Sequence, residues 1–563
     1  LAKIAFVNTG RYSSSRGIKA FSDPVHLVAM HNLCKLAGHE SRVFQLGAPN
    51  PEDSIAAILA YAPSFLGLSF LAPFKCDIEL VDALLAPFEG RGIHLFLGGP
   101  DVEFDPTFYA HKYGTSAWAS CTIVECPGER LFETIASHDF CLADPTVLSQ
   151  LASLGAQILQ QDGVTRIKGL PPMPLELQDH TRDYAFSVFQ HKACVKWATG
   201  CWAACSFCPN IPAKSVYKDP ALVAQEVRYL RDLGVQRLDI ASPQFTAHPA
   251  RASALIEALP LDTMPIFFSS RVDSLYHAIT RFPDIWQRYA YSNRHGIGLG
   301  VDSFLPKKLL RLHKYHTLQQ ADAQQQRLDA VLSFFADTRL SIVFYMITFD
   351  WEMDLAEVQQ ELLALMECLN RYSSIIQISP ENVTNTLSAS PGSPLARQRK
   401  PLDFFRFERD PRLFLLLYSM YAMHEQMEEI IETSQESHDL MEAAAARLIV
   451  KLGLQLISLL EPISPEQADF SRSFAILGET LGDIFQEGPS AYRSNRVQQQ
   501  LLAIYPLKSQ RKIRASLDAI EHKMPSALLR EFDVLLSRKA IHRMKINGKI
   551  DEKTMRKQLQ KYT

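Results

Sequence analysis

Thr199-Gly200-Cys201-Trp202-Ala203-Ala204-Cys205-Ser206-Phe207-Cys208-Pro209-Asn210 is the stretch around which the chain is organised. Its three cysteines stand at C-x3-C-x2-C spacing. The run before them, Ala193-Cys194-Val195-Lys196-Trp197-Ala198, reads as a buried strand, and Gly200 breaks it. The cysteines are therefore expected on a loop at the C-terminal end of a strand. A tight loop can turn three thiolates towards one centre, and thiolates are the usual ligands of iron–sulfur clusters. Three ligands leave one iron of a [4Fe–4S] cube open to a small molecule, which points to chemistry more than to electron storage. A structural zinc site wants four Cys or His ligands in paired short spacings. Here His191 is the nearest upstream histidine, and no second C-x-x-C follows. A disulfide knot is not expected in a long chain in which no signal peptide is read.

Working outward, the 563 residues suggest roughly two to four domains. The chain is 47% hydrophobic and 21% charged, an ordinary globular balance. A net charge of −3 gives no broad basic field for nucleic acid. The cysteines outside the motif, Cys34, Cys76, Cys121, Cys126, Cys141, Cys194 and Cys368, are scattered and read as buried free thiols. That fits a reducing, cytoplasmic compartment. No leader and no apolar run of membrane-spanning length is read, so no membrane partner is expected.

The N-terminal part alternates strands and helices. Strands are expected at Lys3–Asn8, Glu40–Leu46, Ser64–Leu71, Ile93–Leu97 and Trp118–Val124. Helices fall between them, with a last one from about Arg130. Short connections mean a doubly wound, Rossmann-like parallel sheet, whose ligands bind at the carboxyl ends of the strands. Asn8, Thr9, Ser69, Gly98, Gly99, Pro100, Glu125, Gly128 and Glu129 collect there. Leu142–Phe186 is polar and proline-dotted and reads as a bridge, with Gly163–Ile167 as a hairpin arm. Six strand-like runs then alternate with helices: Ala193–Ala198, Arg237–Ala241, Ile266–Ser269, Gly296–Val301, Ser341–Ile347 and Ile375–Ser379. This (β/α)6 pattern is a partial, TIM-type barrel, with Cys201, Ser242, Arg271, Asp302 and Glu381 at its strand C-termini. Beyond Asp410 the pattern is helical. Met and aromatic stripes over Leu413–Ile431 and Leu440–Leu460 read as core, and the basic run Ser537–Thr563 as a solvated helix face. The expected layout is an α/β domain over 1–141, a linker over 142–186, the partial barrel over 187–400 and a mainly helical domain over 401–563.

The C-x3-C-x-aromatic-C spacing of Cys201, Cys205, Phe207 and Cys208 resembles the motif of radical S-adenosylmethionine (radical SAM) enzymes. The resemblance implies that these cysteines hold a [4Fe–4S] cluster, that SAM chelates its open iron, and that Phe207 lies near the adenine. Asp239-Ile240-Ala241-Ser242-Pro243-Gln244-Phe245 occupies the place of the family's Gly-Gly-Glu-like segment for the SAM amino group, without its acidic residue. Ser269–Asp273 resembles its strand-end arginine segment, which implies Arg271 on the SAM carboxylate; a salt bridge at the barrel rim is the other reading. Gly298–Ser303 resembles its G-x-E-S segment, with Asp302 to grip the ribose or the ammonium. Ser388–Leu395 matches P-G-[ST]-P-L. The N-terminal part resembles the cobalamin-binding domain found upstream of one radical SAM class. Ser69-Phe70-Leu71 is like S-x-L, Gly98-Gly99 like G-G, and Glu125–Glu129 like an altered G-E-G-E turn. The D-x-H-x-x-G motif is absent, which implies a cobalamin with no histidine on cobalt.

The resemblance implies a cobalamin-dependent radical SAM methyltransferase. One SAM would methylate cob(I)alamin. Another would be split by the cluster to a radical that takes a substrate hydrogen, and the carbon radical would then collect the methyl group. The expected partners are a small-molecule or peptide natural-product intermediate and an electron donor such as flavodoxin or ferredoxin. A non-methylating ring contraction, cyclisation or oxidation, and a cobalamin sensor with an inactive barrel, stand as alternatives. Shared chemistry requires the two carboxyl edges to face one cavity.

Overall fold

The computed structural model describes residues 1–9, 25–46, 51–70, 78–99, 102–103, 105–115, 117–161, 163–178, 192–208, 213–387, 393–398, 407, 409–433, 438–465 and 502–546. In β1 (Lys3–Asn8), Ile4 and Phe6 enter one apolar cluster and Ala5 and Val7 another. Successive strand residues face opposite sides, so a strand with four apolar residues in a row is covered on both faces. β2 (Glu40–Gln45), β3 (Phe65–Ser69), β4 (His94–Gly98) and β5 (Ser120–Glu125) pair in parallel in the order β2-β1-β3-β4-β5. The helices Val25–Leu36 and Glu129–Ala136 cover one face, with Leu27, Met30, Leu131 and Phe132. The helices Pro51–Tyr61, Ile78–Leu85 and Pro106–Tyr113 cover the other, with Ile58, Val81, Leu84 and Tyr109. The strand order reverses between β1 and β3, the place where such sheets open a crevice.

The bridge expected over 142–186 is corrected in its first half. The helix Pro145–Ser153 packs Val147 and Leu151 under this sheet. β6 (Gln157–Gln161) and β7 (Val164–Lys168) then form a hairpin, and β7 pairs in parallel with β5. The sheet therefore has seven strands, ending in an antiparallel edge. β6 is mostly exposed and rich in Gln, which blunts an edge strand but hides it from a hydrophobicity pattern.

The central sheet has six parallel strands in the order β8-β11-β12-β13-β14-β15, left open between its two edges. They are β8 (Lys192–Val195), β11 (Arg237–Ile240), β12 (Ile266–Arg271), β13 (Gly296–Asp302), β14 (Ser341–Met346) and β15 (Ile376–Gln377). The first expected run splits. β8 stops at Val195, and β9 (Ala198–Thr199) leaves to pair antiparallel with β10 (Val216–Tyr217). Trp197 between them is fully buried, with its indole N–H donated to Glu226 at 2.8 Å.

The helices Arg412–Thr433, His438–Leu460 and Leu507–Ile546 share one apolar cluster with the central sheet, and the Met stripe of Met420, Met423 and Met427 lies inside it. His438–Leu460 is long and apolar enough to cross a membrane, with a mean hydropathy of 1.7, contrary to the sequence reading; 72% of that window is buried inside the protein, as in a core helix. The basic run from Ser537 is also corrected over its described part. His542 Nε2 meets the Thr338 carbonyl at 2.8 Å, and Lys545 pairs with Asp337, so this helix end docks on the central sheet. Of the cysteines outside the motif, five are buried, Cys141 is exposed, and Cys76 lies outside the described residues.

Candidate functional site

The cysteine loop is set by one glycine and three backbone clamps. Gly200 has φ +84°, and a Cβ there would stand 2.4 Å from the Lys214 carbonyl, so only glycine passes β10 this closely. Ala213 N–H then donates to the Cys201 carbonyl at 2.8 Å, Ser206 N–H to the Leu312 carbonyl at 3.0 Å, and Leu395 N–H to the Ser206 carbonyl at 2.9 Å. The last clamp comes from the P-G-[ST]-P-L segment, whose residues 388–392 lie outside the described residues. Phe207 packs against the cluster of Leu312, Ile347, Leu387 and Leu395.

Three of the expected SAM residues meet the cysteines or their neighbours. Gln244 accepts from the Cys201 thiol at 3.0 Å and donates its amide N–H to Ser274. Each nitrogen of Arg271 makes one bond: Nε donates to Asp273 at 3.1 Å, one terminal nitrogen to the Lys314 carbonyl at 2.8 Å, the other to the Cys205 sulfur at 3.4 Å. The rings of Trp202 and Tyr315 lie 5.0 and 5.3 Å from its guanidinium carbon. The fork is aimed at the cysteine loop, and its bond to Asp273 is a salt bridge at the rim of the central sheet, the other reading of this residue. Asp302 sits at φ +60° where the pairing of β13 with β14 slips, and takes the buried Lys314 ammonium at 2.6 Å. The Ser242 hydroxyl is buried with no partner among the described residues, a state that costs free energy until something fills it.

Burial pushes the Cys201 thiol up, and the Cys205 thiol up to about 11, with Arg271 pulling both back. A metal centre would supply the missing positive charge. Among the described residues no three Cys, His, Asp or Glu side chains are set to hold a single metal ion; a cubane takes each thiolate on a different iron and does not require that convergence. The donor set, an open turn with three sulfurs and an orphaned hydroxyl beside it, fits a cluster with a polar ligand.

The N-terminal sheet carries a cavity of about 320 Å³ at its carboxyl edge. Ser69, Gly98, Gly99, Gly128 and Glu129 line it, as do Phe96, Val124 and Phe132. Gly99 has φ +105°, and a Cβ there would stand 2.3 Å from the Phe70 carbonyl. The other expected residues that are described do not line this cavity. Phe70 is core, against Tyr109 at 4.6 Å. Thr9 donates to the Ser69 carbonyl at 2.8 Å, Asn8 is buried, and Glu125 is taken by Arg166. Leu71 and Pro100 lie outside the described residues. A largely apolar cavity with glycine on its rim fits a bulky ligand's tail. Sequence reasoning missed His26 and Glu103. His26 Nε2 meets the Ser69 hydroxyl at 2.8 Å, and both residues line the cavity from segments without a motif. Burial lowers the His26 pKa against the pull of Glu129, and Lys196, just beyond β8, lowers it further. Val28, two residues on, belongs to the apolar cluster of the central sheet. The helix Val25–Leu36 therefore reaches both the cavity and the core of the central sheet.

No protein-family model and no curated protein matches the sequence. The fold is that of solved cobalamin-dependent radical SAM enzymes. The chain is similar to the cobalamin-dependent S-adenosylmethionine radical enzyme OxsB with aqua-cobalamin and S-adenosylmethionine bound, at 13% identity and a TM-score of 0.61, over 95% of this chain and 84% of that one. It is similar to OxsB with aqua-cobalamin alone at 14% identity and a TM-score of 0.61, over the same shares of the two chains. With apo OxsB the similarity covers 98% of this chain and 84% of that one, at 13% identity and a TM-score of 0.60. At such identity the likeness is one of fold.

Proposed function

We propose that the chain is a cobalamin-dependent radical SAM enzyme that moves a methyl group from SAM to a carbon centre of a small-molecule or peptide natural-product intermediate. The observation that carries this reading is one chain with a three-cysteine loop at the carboxyl edge of one parallel sheet and a glycine-rimmed cavity at the carboxyl edge of another, with Lys196 just beyond β8 in electrostatic reach of His26 on that cavity. The fold shared with OxsB, which binds aqua-cobalamin and SAM, supports it.

Cys201, Cys205 and Cys208 would hold the [4Fe–4S] cluster, Ser242 and Gln244 would meet the polar end of SAM, and Phe207 its adenine. Ser69, His26, Gly98, Gly99 and Gly128 would receive cobalamin, with no histidine on cobalt. When bound, these groups supply one-electron reduction, a radical source and a methyl carrier. The chain's own part is to orient and to exclude. Arg271, held between two rings, donates towards the Cys205 sulfur. Lys314 keeps Asp302 fixed beside the cysteine loop. Phe207, Leu312 and Leu395 shield the loop from water. The reading places the central sheet in a partial (β/α)6 barrel and the protein in the cytoplasm. It would take electrons from a flavodoxin- or ferredoxin-like donor and would engage neither nucleic acid nor membrane.

The test is anaerobic reconstitution with iron, sulfide and cobalamin, then product analysis with methyl-labelled SAM and a substrate panel. Label in a new carbon–methyl bond is the expected result. Formation of 5′-deoxyadenosine and substrate conversion without label would replace methyl transfer by another radical reaction. Cobalamin binding without SAM cleavage would leave a sensor.

A further inference from the structure

At the other end of the central sheet, where its strands begin, lies a cavity of about 500 Å³. Its Lys and Arg residues come from four separated parts of the chain. Arg237 opens β11, Arg294 precedes β13, Arg339 precedes β14, and Lys539 and Arg543 lie near the end of the helix Leu507–Ile546. Among the described lining residues five are thus Lys or Arg, and Asp439 is the one Asp or Glu. Arg237 also bonds Asp239 at 2.8 Å.

Two ordinary explanations cover part of this cluster. The end of a parallel α/β sheet where strands begin usually serves stability, not ligands. Cations just past helix ends also complement the helix dipole. That accounts for Arg294 after the helix ending at Ser292, for Arg339 after the helix ending at Phe335, and for Arg543 in a last turn. It does not account for Lys539, more than a turn further back, nor for the direction in which the last helix turns. Lys539 and Arg543 stand four residues apart on one face, where like charges repel. That face could have turned to water. Instead His542, bonded to the Thr338 carbonyl, and Lys545, paired with Asp337, dock it over three arginines. Burial lowers the Lys539 pKa, Asp439 works against that, and Arg543 adds to it. A concave site lined mostly by one sign of charge concentrates counter-ions.

We propose that this cavity binds a small polyanion of the phosphate class, with Lys539 and Arg543 on one wall and Arg237, Arg294 and Arg339 on the other. Guanidinium forks suit phosphate oxygens, and a concave site of about 500 Å³ suits a small molecule rather than an acidic protein surface. The site lies at the opposite end of the strands from the cysteine loop. Its test can therefore be read whether or not the cofactor assignment holds.

The experiment is calorimetric titration of the full-length protein with inorganic tripolyphosphate at two ionic strengths, with adenosine triphosphate as a second probe. Saturable binding at one site per chain, weakened by added salt, is expected. A Lys539→Gln/Arg543→Gln variant should lose at least about tenfold in affinity, as removal of two charge-assisted contacts implies. An Arg294→Gln/Arg339→Gln variant on the facing wall should do the same, which keeps the test usable if the helix variant fails to fold. Equal binding of the two probes would assign an inorganic phosphate, and tighter binding of the nucleotide an organic carrier; both uphold the proposal. Absence of saturable binding, or binding that a folded variant of either wall leaves intact, overturns it.

Discussion

The carboxyl edges of the two sheets are built in opposite ways. On the central sheet the edge is crowded with polar groups already holding one another: Arg271 with Asp273, Lys314 with Asp302, Gln244 with Ser274 and Cys201. On the N-terminal sheet the edge is an apolar cavity with Gly98, Gly99 and Gly128 on its rim. The difference follows from what each can wait for. Buried charges cannot stand unpaired, so a site for a compact, charged ligand must partner them internally beforehand. A site for a bulky ligand needs room first, and room is made by side chains that are missing.

The strongest way to break this contrast is to replace Cys201, Cys205 and Cys208 together with Ala. Iron and labile sulfide of the reconstituted protein should fall to background and SAM cleavage should cease, while cobalamin still binds. Loss of cobalamin along with iron would show that the two edges are not separate sites. The reciprocal experiment is Gly99→Val. Strain at positive φ and the collision with Phe70 should cost about 2–4 kcal/mol in denaturant unfolding and weaken cobalamin binding more than tenfold. Iron content should not change.

A reference point away from both edges is His295, fully buried, whose Nδ1 accepts the Ile266 N–H at 3.0 Å. Burial lowers its pKa to about 4. The unfolded chain, with an ordinary value near 6.5, takes a proton first as pH falls. Stability is therefore complete above about pH 6.5 and declines down to about pH 4, by up to ~3 kcal/mol from this group. His295→Gln should flatten that slope in unfolding titrations; an unchanged slope would mean that the imidazole is not desolvated.

Two smaller effects sharpen the account of the cysteine edge. Arg271→Gln should retain the cluster but shift its midpoint potential negative, on the order of 50 mV, because a hydrogen bond to a ligand sulfur stabilises the reduced form. If instead SAM affinity drops and the potential holds, the guanidinium serves the SAM carboxylate. Ser242→Ala should leave stability unchanged or raise it by up to about 1 kcal/mol, since an unpartnered buried hydroxyl is removed. SAM affinity should fall severalfold by equilibrium binding.

Much of the framework was legible because it is periodic. β1 shows itself by four successive apolar residues, Ile4 to Val7, and the six central strands by recurring between helices. β6 was not legible, because Gln157, Gln160 and Gln161 give an edge strand the polarity of a linker. The same limit hid the docking of the last helix. Its basic face looks solvated in sequence, and only the turn carrying Thr338 and Asp337 gives it a surface to meet.

By itself the sequence determined the chemistry on offer: three sulfurs at fixed spacing, a glycine to turn the loop, and a glycine-rimmed edge on an α/β sheet. Those are local properties, set by residue type and by separations of a few positions. The tertiary structure alone decided which partners the side chains take. It gave Arg271 to Asp273 and Cys205 and left Ser242 without one among the described residues. It placed His26 beside Ser69, 43 residues apart in the chain. A charge or a hydroxyl is spoken for only when distant segments close around it, and no local spacing records that closure.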